Sequence, residues 1–237
     1  MAKCYNCGND FAKEELTKEH IPPRCFSDVY PVEFKNNRVT VLCCDTCNNE
    51  YSKIDNELRD MIAILKDGRD GNTEFLKKGI KSVINRKELG KGYVFDENVR
   101  QYKISFDYEP LEKLFDKCHK GMFYEKFGFP IDEMFVSQAS QKMINDKHNT
   151  EKNAIFESFH KQRPDSFIIS GHQDIFRASI LAYKRGQNNT FEITDELEDC
   201  FALSSYMVFH DQIDCLVMSV RINGEFYDMI KPALDRE

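Results

Sequence analysis

The chain has 237 residues and a mass of 27.8 kDa, enough for one large domain or two small ones with a real core. Hydrophobic residues make up 41% and charged residues 31%, the balance of an ordinary globular protein rather than a disordered one. Thirty-three Lys+Arg against forty Asp+Glu give a formal charge of −7, which excludes a surface coated in positive charge but leaves room for a local basic face. No run approaches the roughly 18 consecutive apolar residues of a membrane-spanning helix, so none is expected. Met1-Ala2-Lys3-Cys4 leads straight into cysteine-bearing sequence without an apolar h-region, so a secretory signal is not expected and a cytoplasmic setting is.

Six of the nine cysteines fall in the first 47 residues, and four of them form the C-x-x-C pairs Cys4-Tyr-Asn-Cys7 and Cys44-Asp-Thr-Cys47. A C-x-x-C turn points two thiolates at one spot, and two such turns complete a tetrahedral four-sulfur zinc site. Gly8 after Cys7 suits a knuckle in which the chain turns tightly and amides face the sulfurs. Cys43 could replace Cys44 through a C-x-x-x-C spacing. A disulfide framework would need an oxidising compartment, and a thioredoxin-type pair would explain one C-x-x-C but not two. Cys25, Cys118, Cys200 and Cys215 read as plain buried thiols. Structural zinc contributes roughly 10–16 kcal/mol in finger peptides, so residues 1–67 can fold around a metal with few apolar side chains.

Between the two pairs lies Glu19-His20-Ile21-Pro22-Pro23-Arg24. A carboxylate suits a hard divalent cation, and the adjacent imidazole can take a proton from water near neutral pH. Two prolines cut the backbone freedom after the histidine. Val39–Leu42 reads as a short strand entering the second knuckle, and Ser52-Lys53, after Cys47, Asn48 and Asn49, opens a helix. Its apolar positions Ile54, Leu58, Met61, Ile62 and Leu65 recur at helical spacing.

On these residues the sequence resembles the HNH endonucleases of the ββα-metal class with a four-cysteine zinc site. The resemblance is carried by C-x-x-C at 4–7, by Glu19 through Arg24, and by Val39 through Cys47-Asn48. With Ser52-Lys53-Ile54-Asp55 it is most similar to a subgroup of small prokaryotic proteins reading H-[IV]-P-P-[KR], C-x-x-C-N, then S-K-x-D. It covers roughly the first quarter of the chain.

The resemblance implies a treble-clef-like ββα-metal module that cuts DNA, or less readily RNA, in settings such as restriction or antiphage defence. His20 would be the general base. Glu19 and Asn48 would hold a catalytic Mg²⁺ or Mn²⁺, while Cys4, Cys7, Cys44 and Cys47 would hold a structural zinc. Arg24 and Lys53 flank the site and could bind substrate phosphates; Lys53 also reads as an ordinary solvated helix residue. Two positions depart from the family pattern. Glu19 replaces the commoner Asp, and Val39 stands where the middle asparagine is usual, a role that Asn36 or Asn37 could fill from a shifted loop. The competing expectation is a non-catalytic zinc module that recognises nucleic acid or protein.

Gly68-Arg-Asp-Gly-Asn72 reads as a boundary, dividing the chain into a nuclease module at 1–67, a basic helical connector at 68–91 and an α+β domain at 92–237. Residues 73–89 read as a helix carrying Lys77, Lys78, Lys81, Arg86 and Lys87 against Glu74 and Glu88, a stripe that would suit a polyanion or simply face water. A strand is expected at 101–108 and a helix from Pro110 to Phe127, with Leu111, Leu114, Phe115, Cys118 and Met122 on one side. A short helix is expected at 150–160, strands at 166–170, 200–209 and 213–222, and a strand or short helix at 174–184, built into an antiparallel sheet. His119, His148, His160, His172 and His210 show no metal-ligand spacing. This region would select the target, mediate self-association or bind a regulatory partner.

Overall fold

A computed structural model of the chain describes residues 1–28, 30–65, 73–85, 93–96, 101–104, 109–143, 158–187, 190–211 and 213–222. Strands β1 (Ala2–Lys3) and β2 (Asp10–Phe11) form a small antiparallel hairpin whose turn carries Cys4, Cys7 and Gly8. Gly8 has φ +71°, a left-handed conformation that only a residue without Cβ enters at no cost, and its amide donates to Cys4 O at 3.0 Å. Strand β3 (Leu16–Ile21) pairs antiparallel with β4 (Val39–Cys44), setting Glu19 opposite Val41 and His20 opposite Thr40.

Helix α1 (Asp45–Leu65) follows β4 directly and starts earlier than the Ser52-Lys53 opening expected from sequence. Asp45 in the first turn complements the positive end of the helix dipole, and Cys47 and Asn48 share that turn, with Cys44 closing β4 just before it. Helix α2 (Thr73–Asn85) packs against α1 at Gly79, where a Cβ would come within 2.9 Å of Ala63 Cβ. The boundary expected at 68–72 and the end of the basic stretch at 86–89 lie outside the described residues. Strands β5 (Tyr93–Asp96) and β6 (Gln101–Ile104) pair with each other; the expected continuation through 105–108 also lies outside.

Helix α3 (Glu109–Phe127) buries Leu111, Leu114, Phe115, Cys118 and Met122, the apolar side read from the sequence. Beyond it stands a six-stranded antiparallel sheet: β7 (Phe135–Met143), β8 (Phe167–Ile169), β9 (Phe176–Arg185), β10 (Phe191–Thr194), β11 (Ala202–Phe209) and β12 (Ile213–Arg221). The order is β10-β9-β11-β12-β7, with β8 also paired to β9. The ambiguous 174–184 stretch is β9. Residues Ala178 through Tyr183 are buried on both faces of the sheet, so the strand shows a largely apolar run, broken by Ser179, instead of alternation. Of the expected 150–160 helix, only a turn at 158–161 falls among the described residues.

One face of the sheet (Leu203, Met207 and Phe209 on β11) shares a single core with α3 and with Tyr5, Ile21, Phe26 and Leu58 from the N-terminal segment. Phe26 is the clearest link. It sits on the 3-10 turn Arg24–Phe26 and meets Phe209 edge-on at 6.3 Å. Two histidines are buried in serine brackets. His119 of α3 lies between Ser205 Oγ at 2.7 Å and Ser219 Oγ at 2.6 Å, and His160 lies on the other face between Ser179 and Ser204, each at 2.8 Å. Burial holds both imidazoles down to about 3, so they serve as neutral packing groups. No helix among the described residues is long and apolar enough to cross a membrane.

Helix α3 reaches the β3–β4 hairpin at Gly121, where an added Cβ would lie 2.5 Å from Ile21 Cγ1. Ile21 is fully buried next to His20, so it has nowhere to yield. Gly121→Val should therefore destabilise the fold by about 1–3 kcal/mol through overpacking, read as a lower thermal midpoint. An unchanged midpoint would show that this contact is loose.

Candidate functional site

The Sγ atoms of Cys4, Cys7, Cys44 and Cys47 all lie within 4.8 Å of one another, and Cys7 and Cys44 are 4.0 Å apart. A tetrahedral zinc with bonds of about 2.3 Å places its sulfurs about 3.8 Å apart, so the cluster is suited to a structural metal such as zinc. All nine cysteines are free thiols. Backbone contacts fix the arrangement: Cys44 N donates to Cys4 Sγ at 3.4 Å, and Tyr5 N donates to Leu42 O at 2.9 Å. The Cys4 thiol is held down to about 4, first by the thiol of Cys43 and then by neighbouring amides, against the cost of burial. Burial pushes Cys7 and Cys47 up instead, an opposition that a bound dication would remove. Cys43 is not one of the four. The two-residue period of β4 sends it into the core with Val39 and Val41, which decides the spacing in favour of Cys44.

Beside the cluster opens a cleft of about 440 Å³ lined by Glu19, His20, Arg24, Asn48, Ser52 and Asp55, among others. Three pieces of backbone supply them. Strand β3 delivers Glu19 and His20, the 3-10 turn after Pro22-Pro23 delivers Arg24, and α1 delivers Asn48, Ser52 and Asp55 at helical spacing on one face.

His20 Nδ1 is buried with no hydrogen-bond partner among the described residues, which leaves Nε2 as the ring nitrogen open to the cleft. Burial, then the charges of Arg38, Arg24 and Lys18, hold the imidazole below its usual 6.5. It is therefore neutral at neutral pH and able to accept a proton. Asn48 donates its amide to Thr17 Oγ1 at 3.2 Å, and its Oδ1 is the donor left for a cation. Glu19 is buried, and its Oε1 takes an ion pair from Lys117 Nζ at 2.9 Å.

Lys117, from α3, also reaches Asp55 Oδ2 at 3.0 Å and is itself completely buried. Burial opposes its charge, but Asp55 and Glu19 override that and raise it above the usual 10.5. Burial lifts Asp55 to about 6, with Lys117 pulling the other way.

Arg24 is exposed, with a loose contact to Asp28 at 3.9 Å as its one ion pair among the described residues, so its guanidinium is available to a ligand. Lys53 falls on α1, and its side chain lies outside the described residues. Lys78 of α2 stands 4.0 Å from Asp28, a residue of the cleft lining. Cys25 is half-buried in the cleft wall and donates to Asp55 O at 3.4 Å; burial pushes its thiol up to about 12. Asn36 and Asn37 are exposed and away from the cleft lining. The hairpin end at Val39 is tied by Ser170, whose Oγ accepts from Val39 N at 2.9 Å and donates to Ile21 O.

Compared with protein-family models, curated proteins and solved structures, the chain matches none. Lys117, Ser170 and Arg38 were not anticipated from sequence. Asp55 belonged to a recognised motif but carried no assigned role. Only a contact between elements far apart in the chain reveals the first two.

The cysteine assignment predicts that Cys43→Ser keeps zinc at wild-type stoichiometry while Cys44→Ser loses it, measured by elemental analysis of the purified proteins. Loss of zinc from the Cys43 variant alone would reverse the assignment.

Proposed function

We propose that the chain is a divalent-metal-dependent endonuclease of the HNH type, hydrolysing phosphodiester bonds of nucleic acid with DNA favoured over RNA. The observation that carries this reading is the meeting of Glu19, His20 and Asn48, from two separate elements, in one cleft beside a four-cysteine cluster. The oxygen donors there, the Glu19 carboxylate and Asn48 Oδ1, fit a hard cation such as Mg²⁺ or Mn²⁺. Held by those two residues, such an ion would supply Lewis-acid stabilisation of the charge developing on the phosphate.

The remaining chemistry belongs to the chain itself. His20 Nε2 takes a proton from the attacking water, which a neutral imidazole held by its hairpin can do. The exposed guanidinium of Arg24 grips a phosphate bidentately, with Lys53 as a second cation on α1. Ser170 and the contact of Ile21 with Gly121 hold the hairpin that carries His20. A second reading, a non-catalytic zinc module that binds nucleic acid or protein, is favoured by one observation: the Glu19 carboxylate is already ion-paired to Lys117.

Plasmid cleavage with Mg²⁺ or Mn²⁺ separates the two. His20→Ala should cut about 10²–10⁴-fold more slowly than wild type while retaining its zinc. If neither protein cuts plasmid, single-stranded DNA or RNA, the module reading stands. The pH profile adds an independent check. A general base held below 6.5 places the midpoint of the acid limb of kcat/KM below pH 6.5. An acid limb centred above 6.5 would point to a different base.

A further inference from the structure

Lys117 is a fully buried lysine. Lysine is almost never fully buried unless paired, because stripping water from an ammonium costs several kcal/mol. Here the side chain is completely buried and reaches from α3 to the floor of a cleft built by β3 and α1. Its Nζ lies 2.9 Å from Glu19 Oε1 and 3.2 and 3.0 Å from the two oxygens of Asp55, and stands 4.9 Å from the ring centre of Tyr51. Two carboxylates and one ammonium leave this floor one negative charge. A divalent cation on Glu19 would sit beside the ammonium and turn that sum positive.

We propose that Lys117 is a resident counter-cation of the cleft, whose ammonium competes with a divalent metal ion for Glu19 and Asp55 and so sets how tightly the site takes one up. The inference rests on the cleft reading above and deepens it. Lys117 holds both carboxylates in place when no ion is bound. The same charge weakens ion binding until an anion, such as a substrate phosphate, enters and offsets it. Two like charges about one side chain apart in a partly buried site repel strongly enough to shift affinity by an order of magnitude. The α3 helix is then part of the site, and the downstream region tunes its metal affinity.

The test is Mn²⁺ binding to the zinc-loaded protein at pH 8, followed by electron paramagnetic resonance of the free ion. Removing a side chain with a merely structural role would loosen the site and weaken binding. Removing a competing charge does the opposite. Lys117→Gln, which can still hydrogen-bond the carboxylates, should bind Mn²⁺ at least about tenfold more tightly than wild type. Lys117→Arg, which keeps the charge, should stay within about threefold of wild type. Unchanged or weaker binding in the Gln variant, or equal tightening in both variants, overturns the proposal.

Zinc content and thermal midpoint report whether the variants fold. A measurement on the wild type needs no variant: the side-chain ammonium signal of Lys117 in a ¹H–¹⁵N spectrum should shift as Mg²⁺ is added. A signal unmoved at saturating Mg²⁺ overturns the proposal equally. Activity keeps the two readings apart. Tighter Mn²⁺ binding in a protein that cuts nothing would sink the nuclease and keep the counter-cation, while plasmid cleavage with unchanged Mn²⁺ affinity would do the reverse.

Discussion

Four cysteine sulfurs gathered within 4.8 Å are the constraint on which the N-terminal half of the site depends. The β1–β2 turn supplies two of them, and the junction of β4 with α1 supplies the others. Clamping those pieces together fixes where α1 begins, and its first turn carries Asn48. The same junction ends the strand that pairs with β3, so Glu19 and His20 are placed against Asn48 by one clamp. A metal held there would add to the shared core in keeping two short hairpins and a helix in register.

The clamp does not act alone. Helix α3 and the large sheet behind it brace the hairpin at several points: Gly121 against Ile21, Phe26 against Phe209, and Ser170 across the ends of β3 and β4. Lys117 carries that bracing into the electrostatics of the cleft. A residue of α3, anchored nearby by His119 between its two serines, pairs with a carboxylate on β3 and another on α1. The downstream region is thus joined to the cleft through a shared core and a shared ion pair.

Much of this was legible in the residues themselves. The two C-x-x-C pairs announced the four-cysteine cluster, because their spacing suits four-sulfur coordination. The helical period of α3 and the apolar runs of β11 and β12 were equally plain. Strand β7 was not, because Val136 through Gln141 is largely polar and small, and only its pairing with β12 makes it a strand. Strand β3 was hidden for a similar reason: Thr17, Lys18 and Glu19 give no alternating apolar signal, and its partner β4 defines it. The ion pair of Lys117 with Glu19 was beyond reach, since a lysine in a helix full of lysines and acids looks like any solvated residue until packing buries it. Ser170 was invisible for the same cause.

X-ray absorption at the zinc edge of the purified protein tests the central claim most directly, since the sulfur clamp joins the β1–β2 turn to the start of α1, which carries Asn48. The account predicts one zinc per chain with a first shell of four sulfurs at about 2.3 Å. A folded protein that carries no zinc, or a zinc bound through nitrogen and oxygen, would contradict it.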